Sequence, residues 1–299
     1  MRLVRWGGPA VLAGLVCGCL LPEREPSASW WQRFRDFNGP QGPDVVFLEV
    51  ARVEQPLADP YLDRGVWREL DEQVVPIPRK ALLNANGVRV GVTGGILPAE
   101  LHALLTSEGS CREPRRHRLR AGNVEELTLN GPLPECRFER VRQPGGEGEA
   151  VEFTQAEWVL LVTPHLGEDG RVRLHFLPEL RHGEKKFWRP GAGGDGGLSL
   201  QGRQAAERFD ELAWELSLSP NEYAVVGTRC SEPDSVGYQW LIGTRGANPV
   251  QRLLVIRAGR VAPAPLGETA APPGGDRHPP PLALQAKHTV ARGAEPDRD

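Results

Sequence analysis

The stretch WVLLVTPHLGEDGRVRLHFLPEL, residues 158–180, limits the fold more than any other part of the chain. Arg171, Arg173 and His175 alternate with Val172, Leu174 and Phe176, the period of a strand with one wet face and one buried face. Gly167-Glu168-Asp169-Gly170 supplies the reversal that joins this strand to the apolar run before it. With Leu166 and Arg171 flanking the turn, His165 pairs with Val172, and His175 falls on the opposite face with the arginines. The two histidines are then not expected to share a metal ion.

Similar segments recur downstream of Arg115: HRLRA, ELTLN, CRFERVR, AVEFTQAEWVLLVTPHL, ELAWELSLS, EYAVVGT, YQWLIGT and QRLLVIRAG read as strands separated by turn residues. Upstream, DVVFLEVARVEQ (44–55) is a further strand, buried on one face. Asp63 is placed to cap a helix with Val66, Leu70 and Val74 on one stripe, which Pro76 and Pro78 interrupt. Pro78 then suits the first turn of RKALLNAN, and Gly87 its left-handed end. VRVGV (88–92) returns to extended chain, and Pro98 opens the helix AELHALLTS. The expected fold class is α+β, a small helical N-terminal portion merging into a larger, mainly antiparallel β-sheet domain. No repeat of about 20–50 residues marks an array.

The folded body is expected over 44–260. Residues 261–299 are rich in Pro, Ala and Gly and offer too little apolar surface to offset ordering entropy, so this tail is expected to be disordered. Residues 19–43 read as a linker whose Trp30, Trp31, Phe34 and Phe37 lie exposed, at lipid headgroups, or docked on the body. A net charge of −3 in 299 residues gives no electrostatic reason to expect nucleic acid.

Signals for chemistry are weak. No C-x-x-C occurs among the five cysteines, and Gly197 to Gly202 is one residue too long for a nucleophile elbow. GVTGG (91–95) lacks the Lys-Ser/Thr of a phosphate loop. His102 reads as a surface or packing side chain. Glu49 with Glu54, Asp71 with Glu72 and Glu211 with Glu215 are carboxylate pairs, but no spacing rule selects an acid and a base among them. No catalytic residue, metal or cofactor is assigned. Cys111 and Cys136 flank one segment and are the preferred disulfide pair, with Cys230 left as a small buried hydrophobe. Arg112, Arg115, Arg116, Arg118 and Arg120 concentrate positive charge on one segment, either a solvated strand face or a contact for an anionic envelope polymer or lipid headgroups.

The N-terminus has the layout of a secretory signal: Arg2 and Arg5 precede an apolar stretch too short to span a bilayer. Val16-Cys17-Gly18-Cys19 resembles the lipobox of bacterial lipoproteins, with an aliphatic residue three before the modified cysteine and a small one just before it. The resemblance implies a signal peptide over 1–18 and lipidation (palmitate among the acyl chains) at Cys19. Cys17 is the weaker acceptor because Val16 would occupy the small-residue position. Leu20 stands where an aspartate often signals inner-membrane retention in that family, which favours the outer membrane.

The segment order over 150–260 is similar to the C-terminal domain of bacterial secretins. WVLLVTPHLGEDGRVRLHFLPEL looks like the secretin hairpin, LSLSPNEYAVVGT like the strand pair after it, and QRLLVIRAGRV like the closing strand. WRPGAGGDGGLSLQGR (188–203) is too short and polar for a membrane-entering hairpin, whose strands need about 9–11 residues each. The expected role is therefore a non-enzymatic envelope lipoprotein, bound to a membrane by its lipid and acting as a binding or scaffolding module for envelope proteins, in a secretion-type assembly. The alternative is a lipid-anchored envelope hydrolase.

Overall fold

The computed structural model describes residues 35–36, 40, 42–188 and 201–261. Cys19, the aromatic linker residues, Gly197 to Ser199 and the tail beyond Val261 lie outside the described residues. In chain order the strands are β1 (Arg35–Asp36), β2 (Val45–Pro56), β3 (Val88–Thr93), β4 (Cys111–Arg120), β5 (Glu125–Val141), β6 (Gly148–Leu166), β7 (Val172–Trp188), β8 (Gln201–Arg208), β9 (Trp214–Leu218), β10 (Tyr223–Thr228), β11 (Ile242–Arg245) and β12 (Asn248–Arg260). Three helices are interposed: α1 (Ile77–Ala85), α2 (Ala99–Thr106) and α3 (Val236–Leu241).

The strands form two sheets. The first runs β1-β4-β2-β12-β10-β3, with β11 also on β12; every pairing is antiparallel except β1 with β4. The second runs β5-β6-β7-β8, with β9 beside the first half of β7 and β8 beside its second half. Mainly antiparallel sheet with a few short helices agrees with the α+β class expected from the sequence.

Alternation decides which faces meet. Leu48, Val50, Ala224, Val226, Leu254 and Ile256 from the first sheet share one apolar cluster with Trp158, Leu160, Leu174, Phe176 and Leu216 from the second. Trp158, Trp240, Phe138, Phe176 and Phe209 are its largest fully buried side chains. Burying each contributes about 1.5–3 kcal/mol, so this between-sheet layer carries much of the stability. The opposite residues of the first sheet, Ala51, Val53, Val225, Leu253 and Val255, form a separate cluster with Tyr61, Leu62, Val66, Trp67 and Leu101. The first sheet is thus apolar on both faces and sits between a helical layer and the second sheet.

Local chemistry explains the helical layer. Asp59, not Asp63, starts it: its Oδ1 accepts from the backbone N–H groups of Tyr61 and Leu62. The expected single helix through Val74 is instead three short turns, Tyr61–Gly65, Val66–Arg68 and Glu72–Val74, the last capped by the Asp71 side chain. Gly87 ends the α1 region at φ +72°, as its position after RKALLNAN predicts. Buried Asn86 donates to Leu82 O and Val141 O and accepts from Val141 N, tying α1 to the end of β5. YQWLIGT, expected as a strand, divides into α3 and β11, because the Ser235 side chain accepts from Tyr238 N and starts a helical turn.

The 158–180 hairpin forms, one residue out of the expected register. Gly167 N donates to Arg171 O, the Asp169 carboxylate accepts from Arg171 N, and Gly170 takes φ +85°. The loop therefore has three residues, with glycine at the left-handed position, not four. Leu166 pairs with Val172 and His165 with Arg173. This is a correction: a slip of one residue changes the face, so His165 shares a face with Arg173 and His175.

Candidate functional site

A groove of about 930 Å³ opens between the two sheets' ends. One wall comes from the segment before α1, the first turn of α1 and the end of β3, including Asp71, Arg79 and Val92. The other comes from β7 and β9: Arg171, Arg173, His175, Glu215 and Ser217. Strand alternation places the last four together. His175 pairs with Glu215 and Arg173 with Ser217 on the outer face, while Trp214, Leu216 and Leu218 turn into the core.

The two walls differ in their backbone. β3 is the edge of its sheet, but Val92 N donates to Asp71 O at 3.0 Å and Asp71 N to Val92 O at 2.9 Å, which closes that edge. β9 bonds to β7 on one side, and among the described residues no strand pairs with its other side. The groove therefore presents unpaired strand edge beside side chains of both signs: Arg79, Arg171 and Arg173 against Asp71, Asp210, Glu215 and Glu222. Unpaired N–H and C=O groups along such an edge are a template for an extended chain.

Catalytic geometry is not assembled there. Among the described residues no hydrogen bond joins Ser217, His175 and Glu215, and no group of three or more His, Cys, Asp or Glu is placed to hold a metal ion. The carboxylate pairs also separate. Glu49 and Glu54 lie on opposite faces of β2: Glu49 is buried beside Arg116 (3.4 Å) and Arg257 (3.4 Å), and Glu54 beside Arg252 (3.0 Å). Asp71 caps a turn, Glu72 pairs with Arg89 at 2.9 Å, and Glu211 bonds Arg140. Burial alone would raise the Glu211 carboxyl, but the bonds and charge of Arg140 outweigh it and hold it below the ordinary range. Glu215 remains in the groove. His102 is exposed on α2.

The five arginines of β4 divide between its faces. Arg116, Arg118 and Arg120 stand opposite Glu49, Phe47 and Val45, whereas Arg115 stands opposite Val50 on the between-sheet side. Most are paired: Arg115 with Glu113 at 2.7 Å, Arg116 with Glu49, Arg120 with Asp44 at 3.4 Å and Arg112 with Glu54 at 3.8 Å. The Arg116 guanidinium also lies 4.7 Å from the Phe47 ring centroid. A single five-arginine surface is therefore not formed.

The expected Cys111–Cys136 bond is not made. Cys136 is a free thiol in the between-sheet core, and Cys111 belongs to the cluster beneath the helical layer. Burial pushes the Cys136 thiol up to about 11. Cys230 is half-buried, not buried outright, and its backbone N–H donates to Asp63 Oδ1.

One residue set escaped sequence reasoning. Asn130 donates from Nδ2 to Gln239 O and Ile242 O and accepts from Arg252 at Oδ1, so one amide links β5, α3 and the ion cluster at Glu54. Arg52 and Glu54, two apart on β2, share a face, which was the available signal. No family model, curated protein or solved structure significantly matches this chain.

Proposed function

We propose that this chain is a non-enzymatic cell-envelope lipoprotein whose two-sheet body binds or scaffolds other envelope proteins. The lipobox-like Val16 to Cys19 supports anchoring by acyl chains on Cys19, and Leu20 supports the outer membrane over the inner one. Among the described residues no helix is long and apolar enough to cross a membrane. The observation that carries the binding role is the open edge of β9 along one wall of the 930 Å³ groove. An extended segment of a partner adds there as a further strand, with main-chain bonds giving affinity and the groove's mixed charges giving selectivity. The secretin-like segment order of 150–260 supports a secretion-type assembly as the partner class.

Two measurements test this reading. Metabolic labelling with a palmitate analogue should mark the native protein and fail on Cys19→Ala; labelling of neither sinks the anchor. A photo-crosslinking residue at Ser217, inside the groove, should give a discrete adduct with an extended segment of one envelope protein, and the same residue at Arg118 should not. Equal adducts from both positions, or none from either, sink the edge-binding role.

A further inference from the structure

A second cleft, of about 390 Å³, opens between β2 and β4 on one side and β5 on the other. Arg52, Arg112 and Arg115 line it with Glu113, Glu125 and Glu126. Arg52, Arg112 and Arg252 all converge on the single carboxylate of Glu54, at 3.6, 3.8 and 3.0 Å. Three guanidiniums on one carboxylate leave two positive charges uncompensated at a partly desolvated place.

The acids around the cleft do not correct this. Glu113, at the mouth and 60% exposed, is held by Arg115 at 2.7 Å. Glu125 lies 2.9 Å from His117 Nδ1, and Glu126 is held by Arg181 at 2.8 Å. Arg252 is further satisfied by Leu129 O and Asn130 Oδ1 at 3.1 and 3.0 Å. Arg52 is not: its Nε is buried without a hydrogen-bond partner, and the His117 Nε2 lining the same cleft is likewise without one. Burial first, then the charge of Arg252, lower the Arg52 pKa against the opposing charges of Glu54 and Glu113. An ion cluster built only for structure would be balanced, because an unpaired buried charge costs several kcal/mol.

We propose that this cleft binds a doubly charged phosphate-type oxyanion, held by the forked donors of Arg52 and Arg112 with Arg115 at the mouth. Guanidinium forks match phosphate oxygens two at a time, and a dianion cancels the two excess charges. A volume of about 390 Å³ leaves room for a small group esterified to the phosphate.

The test is calorimetric titration of the full chain with inorganic phosphate at fixed ionic strength, with glycerol 3-phosphate and succinate as parallel arms. One-to-one phosphate binding is expected, weakened by about tenfold or more in Arg112→Gln and unchanged in Arg120→Gln, which lies on the other face. Phosphate should also raise the melting temperature of the native protein and of Arg120→Gln but not of Arg112→Gln, which separates lost binding from lost folding. Binding of glycerol 3-phosphate as well assigns a phosphomonoester; phosphate alone assigns the free anion. Binding of succinate in preference to phosphate, equal binding by Arg112→Gln, or no binding by the native protein overturns the proposal.

Discussion

Arg252 and Glu54 stand directly opposite each other on β12 and β2, Nε 3.0 Å from Oε1, with side chains 11% and 8% exposed. The pair lies where the two sheets and the end of α3 meet, through Asn130. Glu54→Gln removes the carboxylate on which three guanidiniums converge and should cost about 3–5 kcal/mol in urea unfolding. The double variant Glu54→Met with Arg252→Met should lose less than Glu54→Met alone, since it leaves fewer buried charges without a partner. Equal losses would show that Glu54 acts through packing.

Gly227 is a contact point between β10 and the helical layer. A Cβ there would lie 2.4 Å from Trp67 Cζ2 and 2.9 Å from Leu253 Cδ1. The Trp67 ring is itself fixed, because its Nε1 donates to Leu62 O and Arg89 stacks on it at 4.3 Å. Gly227→Ala should therefore destabilise by about 1–3 kcal/mol. Gly94→Ala, whose Cβ would meet only Glu222 Cγ at 4.0 Å, should be close to neutral in the same thermal melt.

The hydrogen bond from Arg181 holds the Glu126 carboxyl below its ordinary range, with burial acting against it. A carboxyl lowered by folding contributes stability above its unfolded pKa, and that contribution disappears as pH falls through the folded value. Arg181→Met should lower the urea midpoint at neutral pH and differ less from the native protein in acid. The Glu126 side chain is 55% exposed, so solvent screening keeps its part to less than about 1 kcal/mol. A difference that grows on acidification would show the sign to be wrong.

Thiol reactivity should follow layer depth. Cys136 is fully buried and its thiol is pushed up to about 11, whereas Cys230 is partly accessible. Brief iodoacetamide treatment of the native protein, read by peptide mass mapping, should label Cys230 first and Cys136 only after denaturation. Labelling of Cys136 as fast as Cys230 would mean that the between-sheet core opens in the native state.

Strands were legible wherever one face is wet. Val172, Leu174 and Phe176 between Arg171, Arg173 and His175 announce β7, and the same rule finds β9. The rule does not supply register. A four-residue reading of GEDG and the three-residue loop that forms use the same letters, and the difference lies in Gly170 adopting the left-handed conformation. Short apolar runs are ambiguous for another reason: Val236–Leu241 is six residues long, too short for periodicity to separate helix from strand, and Ser235 decides it. The groove and the basic cleft were beyond reach because their walls come from distant segments. Arg252 and Glu54 are 198 positions apart, and only the sheet order brings them together.

That order also governs when the molecule can take shape. β12 lies in the interior of its sheet, paired with β2 from Val250–Pro56 to Arg260–Val46 and with β10 on its other side. Among the described strands, β2 must wait for β12. Until the segment ending at Arg260 is in place, β2 lacks its longest neighbour, so the first sheet cannot close before its C-terminal strand docks.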